Sequence, residues 1–253
     1  MAQIPFYRRR WVLGSLLSLA FVVLLLARAP VAALGWVLPA NLTLSQASGT
    51  LWQGQMSALG LEGVALQQNL SWQFEPRALL AGQLAWQIRG QAAASTNPAA
   101  SQARLVLGAG GVALENVDIT LPLEGALRAV PKIAGWGLGG TAQLRSARLS
   151  KQAGDSAELT LDPLFSQLVP ALSPLTTLRA NLVMNEGGAK WTISPLGSSA
   201  IAVQGQGALQ WLAGGRVSSQ GEINLQPDEK VKQQLAPLLL QIPATANGYQ
   251  IKF

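Results

Sequence analysis

Leu70-Ser71-Trp72-Gln73-Phe74-Glu75-Pro76-Arg77-Ala78-Leu79-Leu80-Ala81-Gly82-Gln83-Leu84-Ala85-Trp86-Gln87-Ile88-Arg89-Gly90 decides the fold. Apolar residues stand at positions 70, 72 and 74, and again at 84, 86 and 88, with mostly polar ones between. That period of two is the mark of a strand with one buried face. Between the runs, Pro76 sits near the first position of a helical turn and Gly82 ends it. The stretch therefore reads as two antiparallel strands joined by a capped helical corner.

The same period recurs on both sides. Leu42 and Leu44 alternate with Thr43 and Ser45, and Gly49-Thr50-Leu51-Trp52-Gln53-Gly54 reads as a strand closed by glycines. Further strands are expected at 104–107, 112–114, 117–121, 139–149, 158–161, 178–184, 200–203, 207–211, 221–225 and 249–253. Asn185-Glu186-Gly187-Gly188 turns into a strand at 190–193 as a hairpin. Residues 91–102 are small, polar and without period, and read as a surface loop. One short helix fits around 125–130, and at most one among Pro163, Pro170 and Pro174. Residues 227–240 form the best helix after the N-terminus. Asp228 caps it, Val231, Leu235 and Leu238 form its stripe, and Pro237 limits it to about two turns. No long helix recurs between strands, which excludes a parallel α/β sheet. The expected fold is mainly β: an N-terminal transmembrane helix, then an antiparallel sheet-rich domain with a few short helices. A loosely repeated strand–turn–strand pattern leaves room for two similar β-layers.

The N-terminus has a different character. Arg8, Arg9 and Arg10 precede a run of 17 uncharged residues from Trp11 to Ala27, closed by Arg28-Ala29-Pro30. As a helix the run reaches about 25 Å, slightly short of a ~30 Å hydrocarbon core. Arg10 and Arg28 can snorkel outward to make up the difference. Two readings compete. Ala27-Arg28-Ala29 fits a signal-peptidase site superficially, but Pro30 would then be the first mature residue, with its φ locked and no N–H. An uncleaved anchor is the better reading, with Trp11, Leu16, Phe21 and Leu26 in the apolar span. Arg8, Arg9 and Arg10 place the N-terminus in the cytoplasm by the positive-inside rule. Residues 1–30 are then a cytoplasmic stub and signal anchor, and 31–253 a β-rich domain across the membrane. With no organelle-targeting pattern, that side is a bacterial periplasm and the membrane the cell inner membrane.

Composition narrows the chemistry. Of the 18 basic residues, Arg8, Arg9, Arg10 and Arg28 lie at the anchor, so the rest of the 253-residue chain sets 14 against 12 acidic residues, a net +2. That gives no clustered basic face for nucleic acid. Cysteine and histidine are absent, which removes disulfides, Ser-His-Asp and Cys-His systems and the usual zinc sites. Asp155, Glu158 and Asp162 are the closest carboxylates, and read as charges on a solvated strand edge rather than an acid–base pair. The glycine runs at 108–111 and 135–140 lack the lysine and long helix of a phosphate loop. No catalytic, metal or cofactor site is expected. Of the eight tryptophans, Trp52, Trp72, Trp86, Trp191 and Trp211 fall in strand-like stretches. They serve cross-strand packing, or else line an open apolar groove.

Ala29-Pro30 after the N-terminal span, then Ser48-Gly49-Thr50-Leu51-Trp52-Gln53-Gly54, then Trp72-Gln73-Phe74-Glu75-Pro76 and Leu79-Leu80-Ala81-Gly82 together resemble the protein N family of the type II (general) secretion pathway. The specific motifs span about residues 29–84; Gly49, Thr50, Leu51, Trp52, Gly54, Trp72, Pro76 and Gly82 carry them. The resemblance implies a non-enzymatic, single-pass inner-membrane accessory component of the machine that exports folded proteins across the outer membrane. Its implied partners are the inner membrane and other secretion components, in the inner-membrane platform or the outer-membrane channel. The rival reading is a membrane-anchored β-groove protein resembling the AsmA-type lipid-handling proteins.

Overall fold

The computed structural model describes residues 6–32, 42–61, 63–93, 99–124, 137–167, 174–197, 201–212, 217–239, 242–245 and 248–252. Helix α1 (Phe6–Ala27) comes first. The strands follow as β1 (Leu42–Ser45), β2 (Ser48–Gly49), β3 (Gln53–Leu61), β4 (Val64–Phe74), β5 (Leu84–Ala92), β6 (Ala100–Gly108), β7 (Gly111–Pro122) and β8 (Leu138–Gly139). After them come β9 (Thr141–Ser150), β10 (Ser156–Ser166), β11 (Thr176–Asn185), β12 (Gly188–Pro195), β13 (Ile201–Trp211) and β14 (Val217–Pro227). Helix α2 (Glu229–Leu239), β15 (Ala244–Thr245) and β16 (Gly248–Lys252) complete the described chain.

Among the described residues all sixteen strands join one antiparallel sheet. Chain order is nearly sheet order: β1-β3-β4-β5-β6-β7-β9-β10-β11-β12-β13-β14-β16-β15, with β2 beside β3 and β8 beside β10. Such a meander follows where strands are joined by short turns, as at 109–110, 151–155 and 186–187. The mainly-β expectation with few short helices holds.

The period of two separates the faces. Ile119, Leu144, Leu159, Ala180, Ile193, Gly205, Ile223 and Ile251 stand opposite one another from β7 to β16. One residue earlier in β7, the register runs Arg89, Gln102, Asp118, Arg145, Glu158, Asn181, Thr192, Gln206, Glu222 and Lys252 across the other face. Opposite charges meet along this polar row: Arg145 lies 3.6 Å from Asp118, and Arg179, on the neighbouring strand, 3.4 Å from Glu158. Each exposed pair adds well under about 1 kcal/mol. Their larger effect is to make a one-residue register slip, which would bury charge, costly.

The apolar face curls inward. Gln67 of β4 donates from Nε2 to the carbonyl of Thr120 in β7, and the Thr120 N–H donates to Ser101 Oγ at 3.1 Å. Three strand spacings in a flat sheet would separate β4 from β7 by about 14 Å, beyond the reach of one glutamine. The sheet is therefore rolled at this rim. Its apolar lining is shared out rather than sealed: no large side chain among the described residues is completely buried.

Several expectations are corrected. The expected loop at 91–102 is strand at both ends, since β5 runs to Ala92 and β6 starts at Ala100, where backbone pairing outweighs the small polar composition; residues 94–98 lie outside those described. Strand β10 continues through Pro163 to Ser166, and residues 168–173, where the one short helix allowed by the prolines would fall, lie outside those described. Gly49 to Gly54 is not one strand: β2 ends at Gly49 and β3 begins at Gln53, with a turn between. Helix α2 runs three turns, passing position 237 to Leu239 rather than stopping there. Val231 and Leu239 are its buried residues, whereas the side chains of Leu235 and Leu238 lie outside those described. The helix expected at 125–130 also lies outside the described residues.

The largest correction concerns the anchor. Among the described residues no helix is long and apolar enough to cross a membrane. The uncharged run within α1 has 17 residues before Arg28, about 25 Å of helix against a hydrocarbon core of ~30 Å.

Candidate functional site

The residues of the 49–54 motif converge where α1 meets the sheet. The chain leaving α1 at Ala29 accepts a hydrogen bond from the Leu51 N–H at 3.0 Å, and Pro30 forms an isolated antiparallel bridge with Thr50. Val31 is then buried against Met56 and Trp72. The helix is thus clasped to the turn between β2 and β3.

The clasp is held from beneath by indoles. Trp72 Nε1–H donates to the Thr50 carbonyl and Trp86 Nε1–H to the Leu51 carbonyl, each at 3.0 Å. Trp52 meets Phe74 edge-on at 4.8 Å and stacks on Trp86 at 6.1 Å. Thr50 Oγ1 accepts from the Gln53 N–H at 3.2 Å, which closes the turn. Two glycines make room. Gly49 has φ +101°, a left-handed conformation that other residues resist, and the Trp72 ring lies directly over Gly54. Each indole bond satisfies a carbonyl that β-pairing leaves free, a requirement for half-buried backbone.

Pro76 and Gly82 lie one step further on. The residues between them form a 3-10 helix over Pro76–Ala81, and Gly82 ends it at φ +67°, as the sequence predicts. Ala78 packs down on Ala85 and Val106. Arg104 pins the base of this turn, bonding Glu75 at 2.9 Å and Glu115 at 2.6 Å. The Glu75 hydrogen bond, and after it that of Glu115, holds the Arg104 guanidinium pKa above its ordinary value, against the opposite pull of desolvation.

Along α1, Trp11, Leu16 and Phe21 are exposed, Trp11 by 80%, and so is every other described side chain from Trp11 to Leu25. The side chains of Arg8, Arg9, Arg10 and Leu26 lie outside those described. The three carboxylates of β10 and its approach do not face one another. Asp155 accepts from Ser150 Oγ, Glu158 pairs with Arg179, and Asp162 accepts from Thr177 Oγ1.

A second feature lies at the opposite rim, near α2. An apolar cavity of about 280 Å³ opens on the inner face, lined by residues including Leu161, Leu178, Ile193, Ile223, Leu239 and Ile251. Sequence reasoning raised an open apolar groove but assigned it to tryptophans, none of which lines this cavity. Its signal was the repeated Ile/Leu on the inner register of successive strands, which only the pairing brings together. It also missed Arg104, whose two carboxylates are 29 and 11 residues away in sequence.

No curated protein and no solved structure matches the chain. Among protein families, residues 40–252 match "Type II secretion system (T2SS), protein N". The match begins beyond Ala29-Pro30 but takes in the strands, the 49–54 motif, the indole supports and the capped turn. Covering most of the chain, it shows that this protein belongs to the type II secretion system protein N family.

Proposed function

We propose that the protein is an inner-membrane accessory component of a type II secretion system, holding a periplasmic sheet beside the other secretion components. Membership of the protein N family supports the accessory role in type II secretion. The observation that carries the rest is the clasp: Ala29, Pro30 and Val31 bind the sheet directly, so the sheet follows α1 without a flexible linker. From Trp11 to Ala27 helix α1 carries no charge on any side, and a stretch of that kind needs a nonpolar surrounding. Snorkelling of Arg10 and Arg28, with local bilayer thinning, offsets its few missing ångströms. Residues 1–30 are the cytoplasmic stub and anchor, and 31–253 the periplasmic part. Tethering raises the effective concentration of the sheet near platform or channel components.

Protease protection tests the topology, and affinity capture the partners. In cells with an opened outer membrane, protease should remove the sheet. Crosslinked capture should recover inner-membrane platform or outer-membrane channel components. A sheet protected in such cells, or normal secretion in a deletion strain, would refute the proposal.

The cavity supports a second reading, in which the sheet shelters an alkyl chain. Dry apolar cavities of about 150 Å³ already take nonpolar ligands. The lining leaves peptide groups unsatisfied, which disfavours an extended peptide, and a helix of ~10 Å diameter is too wide. Lipid recovered with the purified protein, and lost in Ile193→Trp, would support this reading. Lipid-free protein at full yield would end it.

A further inference from the structure

The two rims of the sheet differ. The antiparallel order puts α2 and the apolar cavity at one rim. At the other lie the clasp, the 3-10 turn of Pro76–Ala81 and the hairpin turns at 109–110, 151–155 and 186–187. On this clasp rim Leu80 is 92% exposed, Leu79 53% and Val112 59%. Single exposed leucines are ordinary, but here the exposure is built in. Ala78 is buried against Ala85 and Val106, and Gly82 caps the turn, so the two leucines that follow Ala78 are turned away from the sheet.

The position is as telling as the exposure. The Phe74 N–H bonds the Trp52 carbonyl, and the neighbouring Leu51 N–H bonds Ala29, where α1 ends. The leucine turn therefore stands within two or three strand spacings of the helix exit, about 10–15 Å. Arg28, Arg77 and Lys151 are exposed on the same rim. Of the acids there, Glu75 is held by Arg104 and Asp155 by Ser150 and Arg148, leaving Glu186 exposed. An apolar tip flanked by a surplus of cations matches an anionic bilayer surface, where apolar side chains enter the acyl boundary and Lys/Arg meet phosphates.

We infer that the clasp rim rests on the membrane surface, with Leu79 and Leu80 inserted at the headgroup–acyl boundary and Arg28, Arg77 and Lys151 against anionic lipid. The leucine turn is then a second membrane contact beside α1, and it sets the sheet upright with its cavity rim pointing away from the bilayer. The inference rests on the placement of α1 at the membrane, and its test separates the two.

The chain has no cysteine, so single-cysteine variants label cleanly. Leu80→Cys, Ser18→Cys on α1 and Ser194→Cys near the cavity rim, all at exposed positions, carry an environment-sensitive fluorophore. The full chain is reconstituted in phosphatidylethanolamine–phosphatidylglycerol vesicles containing nitroxide lipid, labelled at the headgroup to read positions 80 and 194 and deep in the acyl chain to read position 18, with no other protein present. The label at position 80 should be quenched at least about twofold more than that at 194. Equal quenching at 80 and 194 overturns the inference, and leaves a protein partner as the cover for the leucines. In that case, quenching at 18 shows that α1 is embedded while the rim stands off. Without quenching at 18, the membrane placement of α1 fails as well.

Discussion

Gly54 sits where no side chain fits. A Cβ there would run into the Trp72 ring and stand 2.6 Å from the Ser48 carbonyl oxygen, so the residue is glycine for reasons of space. Gly54→Ala should lower stability by roughly 1–3 kcal/mol, read by urea unfolding. In the background of Trp72→Phe, whose smaller ring vacates the contact, the same change should cost less by at least about 0.5 kcal/mol. Additive losses would show that the indole is not the obstacle. Trp72→Phe alone also deletes the N–H given to the Thr50 carbonyl. It should speed hydrogen exchange at the Leu51 amide, whose partner is Ala29. Arg104→Met should cost about 1 kcal/mol, because the pair is partly exposed, and the loss should shrink in high salt. The pKa of Arg104 is raised on folding, so its contribution is complete below the ordinary arginine value and lost only as pH rises through the higher folded one. Across the neutral range that contribution should be flat, which a pH series of unfolding midpoints of the wild type and Arg104→Met checks. At this scale the motif glycines and tryptophans were legible as packing residues. Their hydrogen bonds were not, because an indole N–H chooses among carbonyls only once strands are paired.

Among the elements, the strand–turn–strand of residues 70–90 was read correctly, since period and punctuation coincide there. Pro76 opens the 3-10 turn and Gly82 closes it. Residues 91–102 misled because strand ends are set by what lies opposite: Ala100 and Ser101 pair with Gln91 and Gly90 whatever their own preference. Glycines inside strands misled less. Gly207 and Gly221 are covered by the Trp191 ring, which supplies the packing they lack. Helix α2 is held by Val231, Leu239 and Ile242 against Ile201, Leu225, Tyr249 and Ile251. Leu239 also walls the cavity. Leu239→Ala should cost about 2–4 kcal/mol and open the cavity, raising the binding of an apolar dye at native temperature. Unchanged dye binding with the expected loss of stability would show that α2 is not the wall.

For the molecule as a whole, contacts follow the chain. Each long strand pairs mainly with those nearest in sequence, and the sheet ends in the short strands β1 and β15. Such arrays have stability that varies along their length. Amide exchange should be slowest in β7, β9, β10 and β11, and fastest in β1, β15 and β16. Uniform protection would mean a single cooperative unit. The antiparallel, mainly-β fold was legible from turn spacing, but the single sheet and its curl were not, because Gln67, Ser101 and Thr120 meet only after the sheet has rolled. The clasp has one mechanical consequence. Helix α1 is fastened to the residues just before β3, not to the outermost strand β1. A pull along the helix therefore loads the turn between β2 and β3, whose carbonyls are gripped by the indoles of Trp72 on β4 and Trp86 on β5. Part of the force thus passes through two side chains to strands further into the sheet, and the edge pairing does not carry it alone.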